Sequence, residues 1–128
     1  MAYQTFTDLD VYKECRILRM LISQLVKDNF PQEEKYRLSD QIIRSSRSVT
    51  ANIAEGFGRY YFKENIQFCR IARGSLLETK DHIIVAFDEK YIDNETLNVC
   101  LVKIESCGKL LNGYINYLKR NQKPKEED

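Results

Sequence analysis

The chain has 128 residues, with 20 Lys+Arg, 19 Asp+Glu and 43% hydrophobic residues, a composition that allows one core and excludes a disordered or membrane-embedded chain. Its formal net charge of +1 points to no particular partner. No apolar run nears the roughly 18 residues of a membrane span, and charges interleaved from Met1 to Phe30 argue against a signal peptide, so a cytoplasmic protein without membrane contact is expected.

Two prolines, Pro31 and Pro124, and five glycines leave long helices allowed nearly everywhere. The first helix is expected from about Asp8 to Asp28, opened by Thr7 and Asp10 as a capping-box-like pair and striped by Val11, Cys15, Leu18, Ile22 and Leu25. Asn29, Phe30 and Pro31 break it. After a short turn from Gln32, a second helix is expected from near Ser39, with Ile42, Ser46, Val49, Ile53 and Phe57 on one face. Ser45, Ser46, Ser48, Ala51 and Ala54 keep that face and its edges small, so a neighbouring helix can approach closely. The spacing of Ile66, Cys69, Ala72, Leu76, Ile83 and Phe87 predicts a third helix from about Phe62 to Asp88, bordered by Phe68, Leu77 and Ile84. A fourth opens at Asp93 or Asn94 and repeats Leu97, Leu101, Ile104, Gly108, Leu111, Ile115 and Leu118. Short connections turn successive helices back on one another. The expectation is an all-α, antiparallel up-down-up-down four-helix bundle in one domain, residues 1–120, followed by a polar, frayed tail over 121–128.

The four cysteines, Cys15, Cys69, Cys100 and Cys107, form no CxxC and sit among helix-periodic apolar residues, so they read as small buried hydrophobes. His82 is the single histidine. It lies four residues after Glu78, within reach on one helix face, but no second histidine supplies a carboxylate-bridged metal site and no nucleophile–base pair is recognisable. No catalytic residue, metal or cofactor is expected. Charge is uneven: from Lys35 to Arg73 eight basic residues face three acidic ones, and from Leu76 to Cys100 six acidic face two basic. That polarity suits head-to-tail self-association and an anionic partner equally well.

The stretch SVTANIAEGFGRYYFKEN, residues 48–65, concentrates the unusual chemistry. Its Gly-x-Gly lacks the preceding strand and third glycine of a dinucleotide site. Gly56 and Gly58 instead read as the end of the second helix, one of them taking the positive φ of a C-cap, with Arg59 near the negative end of the helix dipole. Asn52 and Glu55 must then face solvent or meet donors such as Arg44, Arg47, Arg59 or Arg73, because either would be costly if buried unpaired. Tyr60, Tyr61 and Lys63 mix rings and charge as an RNA-contacting surface does. Phe62 is expected to pack on the core, while Tyr114 and Tyr117 stay open between core-flanking and interface roles.

The runs LSDQIIRSSRSVTANIAEGFGRY and FCRIARGSLLETKDHI resemble the small bundle family encoded by intervening sequences inside bacterial 23S rRNA genes. The shared signature falls on Gln41, Arg44, Ser48, Asn52, Ile53, Ala54, Glu55, Gly56, Arg59, Gly74, Ser75, Leu76 and Glu78. Asp8–Val11 and the Phe30-Pro31 turn with Glu34 also look like the family. Thr50 stands where the family often has proline, and Arg73 where a small or apolar residue is common. The resemblance implies an antiparallel four-helix bundle assembling as a ring-like homopentamer, with no established catalytic activity. It also implies kinship with accessory variability-determinant proteins of diversity-generating retroelements, whose basic surface is thought to engage RNA and a reverse transcriptase. Asn52, Glu55 and Gly56 become, with Ser48, a packing and polar-network element near Ser75 and Glu78, where Gly74 permits close helix approach.

The leading expectation is a non-enzymatic oligomer that binds structured RNA or a ribonucleoprotein through Arg44, Arg47, Arg59, Lys63 and Arg70. The alternative is a protein-binding scaffold without nucleic-acid contact, in which the same arginines pair with the acidic 76–100 segment of another subunit.

Overall fold

The computed structural model describes residues 5–122. Four helices form it: α1 Asp10–Asn29, α2 Leu38–Phe57, α3 Phe62–Asp88 and α4 Asn94–Arg120. Short 3-10 turns at Phe6–Asp8 and Gln32–Glu34 lead into α1 and α2. The apolar stripe of α1 is wholly buried, as are Ile42, Ser46, Val49 and Ile53 on α2, Ile66 to Ile83 of the α3 stripe, and Ile104, Leu111, Ile115 and Leu118 on α4. Leu18, Ile22, Ile42, Ile53, Ile83 and Leu111 are fully buried, each contributing about 2 kcal/mol by leaving water. All four cysteines are buried free thiols, with Cys100 and Cys107 completing the α4 seam around Ile104.

Cross-helix contacts fix the directions. Along α2 and α3, Ser45 meets Thr79, Ser48 meets Ser75, and Gly56 faces Asn65, so one numbering rises as the other falls. On α3 and α4, Asn65 reaches Tyr114, Arg73 reaches Asn112, and Leu76 lies beside Gly108. The Lys103 ammonium meets Glu14 at 3.1 Å, while Leu9 to Val11 lie beside Tyr114 and Tyr117. Each of these neighbouring pairs is therefore antiparallel, which makes α1 antiparallel to α2 as well.

The α1–α2 and α3–α4 connections meet at one end of the bundle. There the Tyr91 hydroxyl donates to the Glu34 carboxylate at 2.6 Å, the Leu38 N–H donates to the other carboxylate oxygen at 3.2 Å, and Phe30 packs against the Tyr91 ring. Lys90 closes α3 at φ 67°, with Tyr91 N–H bonded to Ala86 and Lys90 N–H to Phe87, the paired bonds of a Schellman end.

Three expectations change. The carboxylate that reaches back to a backbone N–H is Asp8, bonded to Thr5 N–H at 3.2 Å, so the chain enters α1 through a 3-10 turn and Leu9, not through Thr7 and Asp10. Neither Gly56 nor Gly58 uses a positive φ: Gly56 is still helical and Gly58 ends α2 at φ −79°. Gly74 is exposed with nothing within 4 Å of a would-be Cβ, so it creates no close approach. As for the expected tail, Asn121 and Gln122 are exposed beyond α4, and residues 123–128 lie outside the described residues.

Candidate functional site

The residues singled out by the sequence divide into a seam that holds α2 against α3 and a set of cations outside it. In the seam, Asn52 Nδ2 donates to the Ser48 carbonyl at 2.8 Å and to Ser48 Oγ at 3.0 Å, and the Ser48 and Ser75 hydroxyls are hydrogen-bonded at 2.8 Å. One turn on, the buried hydroxyls of Ser45 and Thr79 lie 2.8 Å apart. Gly56 allows the closest approach. A Cβ there would stand 2.5 Å from Asn65 Oδ1 and 2.9 Å from Phe68 Cβ. Asn65, buried at this crossing, donates to the Tyr114 hydroxyl at 3.1 Å, and its Oδ1 accepts from the Cys69 thiol at 3.5 Å. Sequence reasoning passed Asn65 over. Its signal was an amide four residues before Cys69, on the apolar face of α3. Tyr114 is thereby core-flanking, whereas Tyr117 is exposed.

Glu55 and Glu78 do not join the seam. Glu55 accepts from Arg59 at 2.8 Å, and Glu78 contacts His82 at 3.3 Å, each within one helical turn on the exposed side. The Arg59 guanidinium also lies 4.7 Å from the Phe68 ring centroid, so this residue clamps the α2–α3 corner.

The remaining cations are exposed in two stripes. Arg44, 79% exposed beside Asp40, and Arg47 lie three residues apart on the outer side of α2, opposite Val49 and Ile53. Lys63 and Arg70 are seven apart along one ridge of α3, the ridge that continues to Leu77 on the side facing α4. The end of α2 at Phe57 lies about 15 Å along the helix axis from Arg47, and Arg59 follows its C-cap, with Tyr60, 80% exposed, beside it at the corner. The five cations thus span an extended surface and do not converge on one point. Phe62 packs on the core as expected.

Among the described residues, every carboxyl with a displaced pKa is held low. The Lys103 ammonium lowers Glu14, the Tyr91 hydroxyl lowers Glu34, and the Thr96 N–H lowers Asp93, the N-cap of α4. The same Glu34 contact pushes Tyr91 up to about 12. Burial pushes the Cys69 thiol up to about 12 and raises Cys100, while Cys15 is raised by its contact with Cys107 and then by burial. These partners make the anions structural and the thiols unreactive. Among the described residues, no three His, Cys, Asp or Glu side chains are grouped to hold a metal ion, and no helix is long and apolar enough to cross a membrane.

A family model described as 23S rRNA-intervening sequence protein matches residues 7–113. The chain belongs to the 23S rRNA-intervening sequence protein family. Its fold is similar to the crystal structure of a protein of unknown function from the S23 ribosomal protein family of Bacteroides thetaiotaomicron, at 25% identity and a TM-score of 0.75, covering 82% of this chain and 97% of that one. Among curated proteins, none matches. The matched span holds the whole α2–α3 seam of this 23S rRNA-intervening sequence family member, together with all five cations. Two further cross-helix bonds tie the bundle: Arg19 donates to the buried Thr50 hydroxyl at 2.8 Å, and Arg73 donates to Asn112 at 2.9 Å.

Proposed function

We propose that this chain is a non-enzymatic, self-associating bundle that binds structured RNA or a ribonucleoprotein along the outer faces of α2 and α3. The observation that carries this reading is the exposure of Arg44, Arg47, Lys63 and Arg70 on the outside of a rigid seam. Four cations spread over two helices match the spaced phosphates of a folded RNA better than a single small anion, and Tyr60 offers a ring for stacking. The family's link to 23S rRNA intervening sequences points the same way. Carboxyls held as structural anions fit a binding role better than acid–base chemistry.

Replacing Arg44, Arg47, Lys63 and Arg70 together by Glu should weaken binding to a structured ribosomal RNA fragment roughly tenfold or more, while helicity by circular dichroism stays unchanged. Arg59 is left in place because its bonds to Glu55 and Phe68 belong to the fold. Equal affinity in the folded variant would remove the RNA reading. Self-association is favoured by a separate observation: Ile17, Met20, Leu77 and Val102 are all more than half exposed or close to it. The family resemblance sets the expected number of copies at five.

A further inference from the structure

Among the described residues, the two large apolar or aromatic side chains most open to water are both tyrosines, Tyr36 at 83% exposure and Tyr60 at 80%. Both flank one helix. Tyr36 stands two residues before Leu38, where α2 begins, and Tyr60 three residues after Phe57, where it ends, so the length of α2 sets them about 30 Å apart. Neither ring joins the core, unlike Tyr12, Tyr91 and Tyr114. Each is steadied by its sequence neighbour: the Lys35 ammonium lies over the Tyr36 ring, 5.4 Å from its centroid, and the Tyr61 ring meets that of Tyr60 at 4.7 Å with 80° between the planes. Rings placed in this way bury no apolar area for the fold, and an open π-face beside a cation is a surface on which an unpaired base stacks.

The surface between the two rings is cationic. From Lys35 to Lys63 every charged side chain is exposed, six cations against Asp40 and Glu55. Both acids are engaged, Asp40 at 3.6 Å from Arg44 and Glu55 at 2.8 Å from Arg59. Just beyond the two ends stand Glu33 and Glu64, which leaves six cations against four acids, and Glu34 is taken by the Tyr91 hydroxyl. Arg44 and Arg47 occupy the middle of the outer side of α2, so a strand that leaves one ring for the other carries its phosphates past them.

We propose that the α2 face selects RNA with unpaired bases at two places, one stacked on Tyr36 and one on Tyr60, with Arg44 and Arg47 on the phosphates between them. The proposal rests on the RNA reading above and names the kind of RNA this face takes. A fully paired duplex keeps its bases stacked inside and offers such a face only its backbone, whereas a loop or a single-stranded tail can splay a base onto a ring. Every base has a π-face, so the two tyrosines read the architecture of the RNA and not its sequence. Their spacing, set by the length of α2, fits a stem about 30 Å long with unpaired nucleotides at both ends.

The test compares two labelled RNAs by fluorescence anisotropy: a hairpin of that stem length with a single-stranded tail, and a blunt duplex of equal stem length. The parent should prefer the hairpin. Tyr36→Ala and Tyr60→Ala should each weaken hairpin binding roughly tenfold and leave duplex binding unchanged. Both sites are exposed, so each variant should keep the helicity and thermal transition of the parent. Tyr→Phe at either site should retain the hairpin affinity and Tyr→Leu should not, because stacking needs the ring and not its bulk. The dependence of hairpin binding on salt should stay that of the parent in all of them, since no phosphate contact is removed. A parent that binds both RNAs alike, Ala variants with parental hairpin affinity, an equal loss on the duplex, or a loss at one ring alone would overturn the two-ended stacking while the RNA reading stands. A parent that binds neither RNA would overturn both.

Discussion

Gly56 and Gly74 share the family signature, yet their surroundings set opposite costs for a methyl group. A Cβ at Gly56 would overlap Asn65 Oδ1 at 2.5 Å and the Phe68 Cβ at 2.9 Å, and it would stand 3.1 Å from the Asn65 carbonyl oxygen, so α3 must move away. Overpacking of this kind costs about 1–3 kcal/mol, set against a helix-propensity gain of about 1 kcal/mol. Gly56→Ala should therefore lower the midpoint of thermal unfolding. Gly74→Ala meets nothing within 4 Å and should raise it, by about 1 kcal/mol of added stability. The opposite order in a calorimetric comparison would mean that α2 and α3 do not cross at Gly56. The pattern Gly-Ser-Leu invited the close contact at Gly74 because glycine identity carries no direction. Only the register of α3, with Ser75 and Thr79 turned toward α2, decides which glycine faces the neighbour.

The helices themselves were legible because their apolar residues recur at threes and fours and their boundaries carry chemistry. Asp93 caps α4 through Thr96 N–H, and α3 spans Phe62–Asp88 as its stripe predicted. The ends that escaped notice depend on tertiary context. Lys90 adopts φ 67°, where glycine is usual, because Tyr91 is anchored on Glu34 across the bundle end. Such anchors also set the response to acid. Glu14, Glu34 and Asp93 have folded pKa values below their ordinary 4.5, 4.5 and 3.8. A depressed carboxyl stabilises above its unfolded pKa, and that contribution is lost as pH falls through the folded value. Stability should thus decline as pH drops below about 4.5, with the α1–α4 and turn–turn ties loosening together. Tyr91→Phe removes the donor that lowers Glu34, so this variant should show a shallower acid decline in denaturant titrations followed by circular dichroism. A decline as steep as the parent's would show that the Tyr91 contact contributes nothing to it.

At the scale of the whole molecule, a uniform core and a bonded seam support an outer surface that is chemically divided. Cations occupy the outside of α2 and one ridge of α3, while aliphatic side chains break the surface on α1 and between α3 and α4. The basic residues were readable from charge counts, but their division into two stripes was not, since it follows from how α2 and α3 are rotated about their axes. The exposed aliphatics were read as stripe borders at Leu77 and Ile84 because periodicity alone does not tell a covered edge from an open one. The two kinds of surface adjoin on α3, where the ridge of Lys63 and Arg70 runs on to Leu77. The measurement that tests the central claim most directly is fluorescence anisotropy of a labelled, structured 23S rRNA fragment titrated at several salt concentrations, with the parent and the variant carrying Glu at Arg44, Arg47, Lys63 and Arg70. Phosphate contacts predict that the parent's affinity falls steeply with salt and that the variant loses roughly one unit of log–log slope for each contact removed. Parent binding that is flat in salt, or a variant with the parent's slope, would contradict the account.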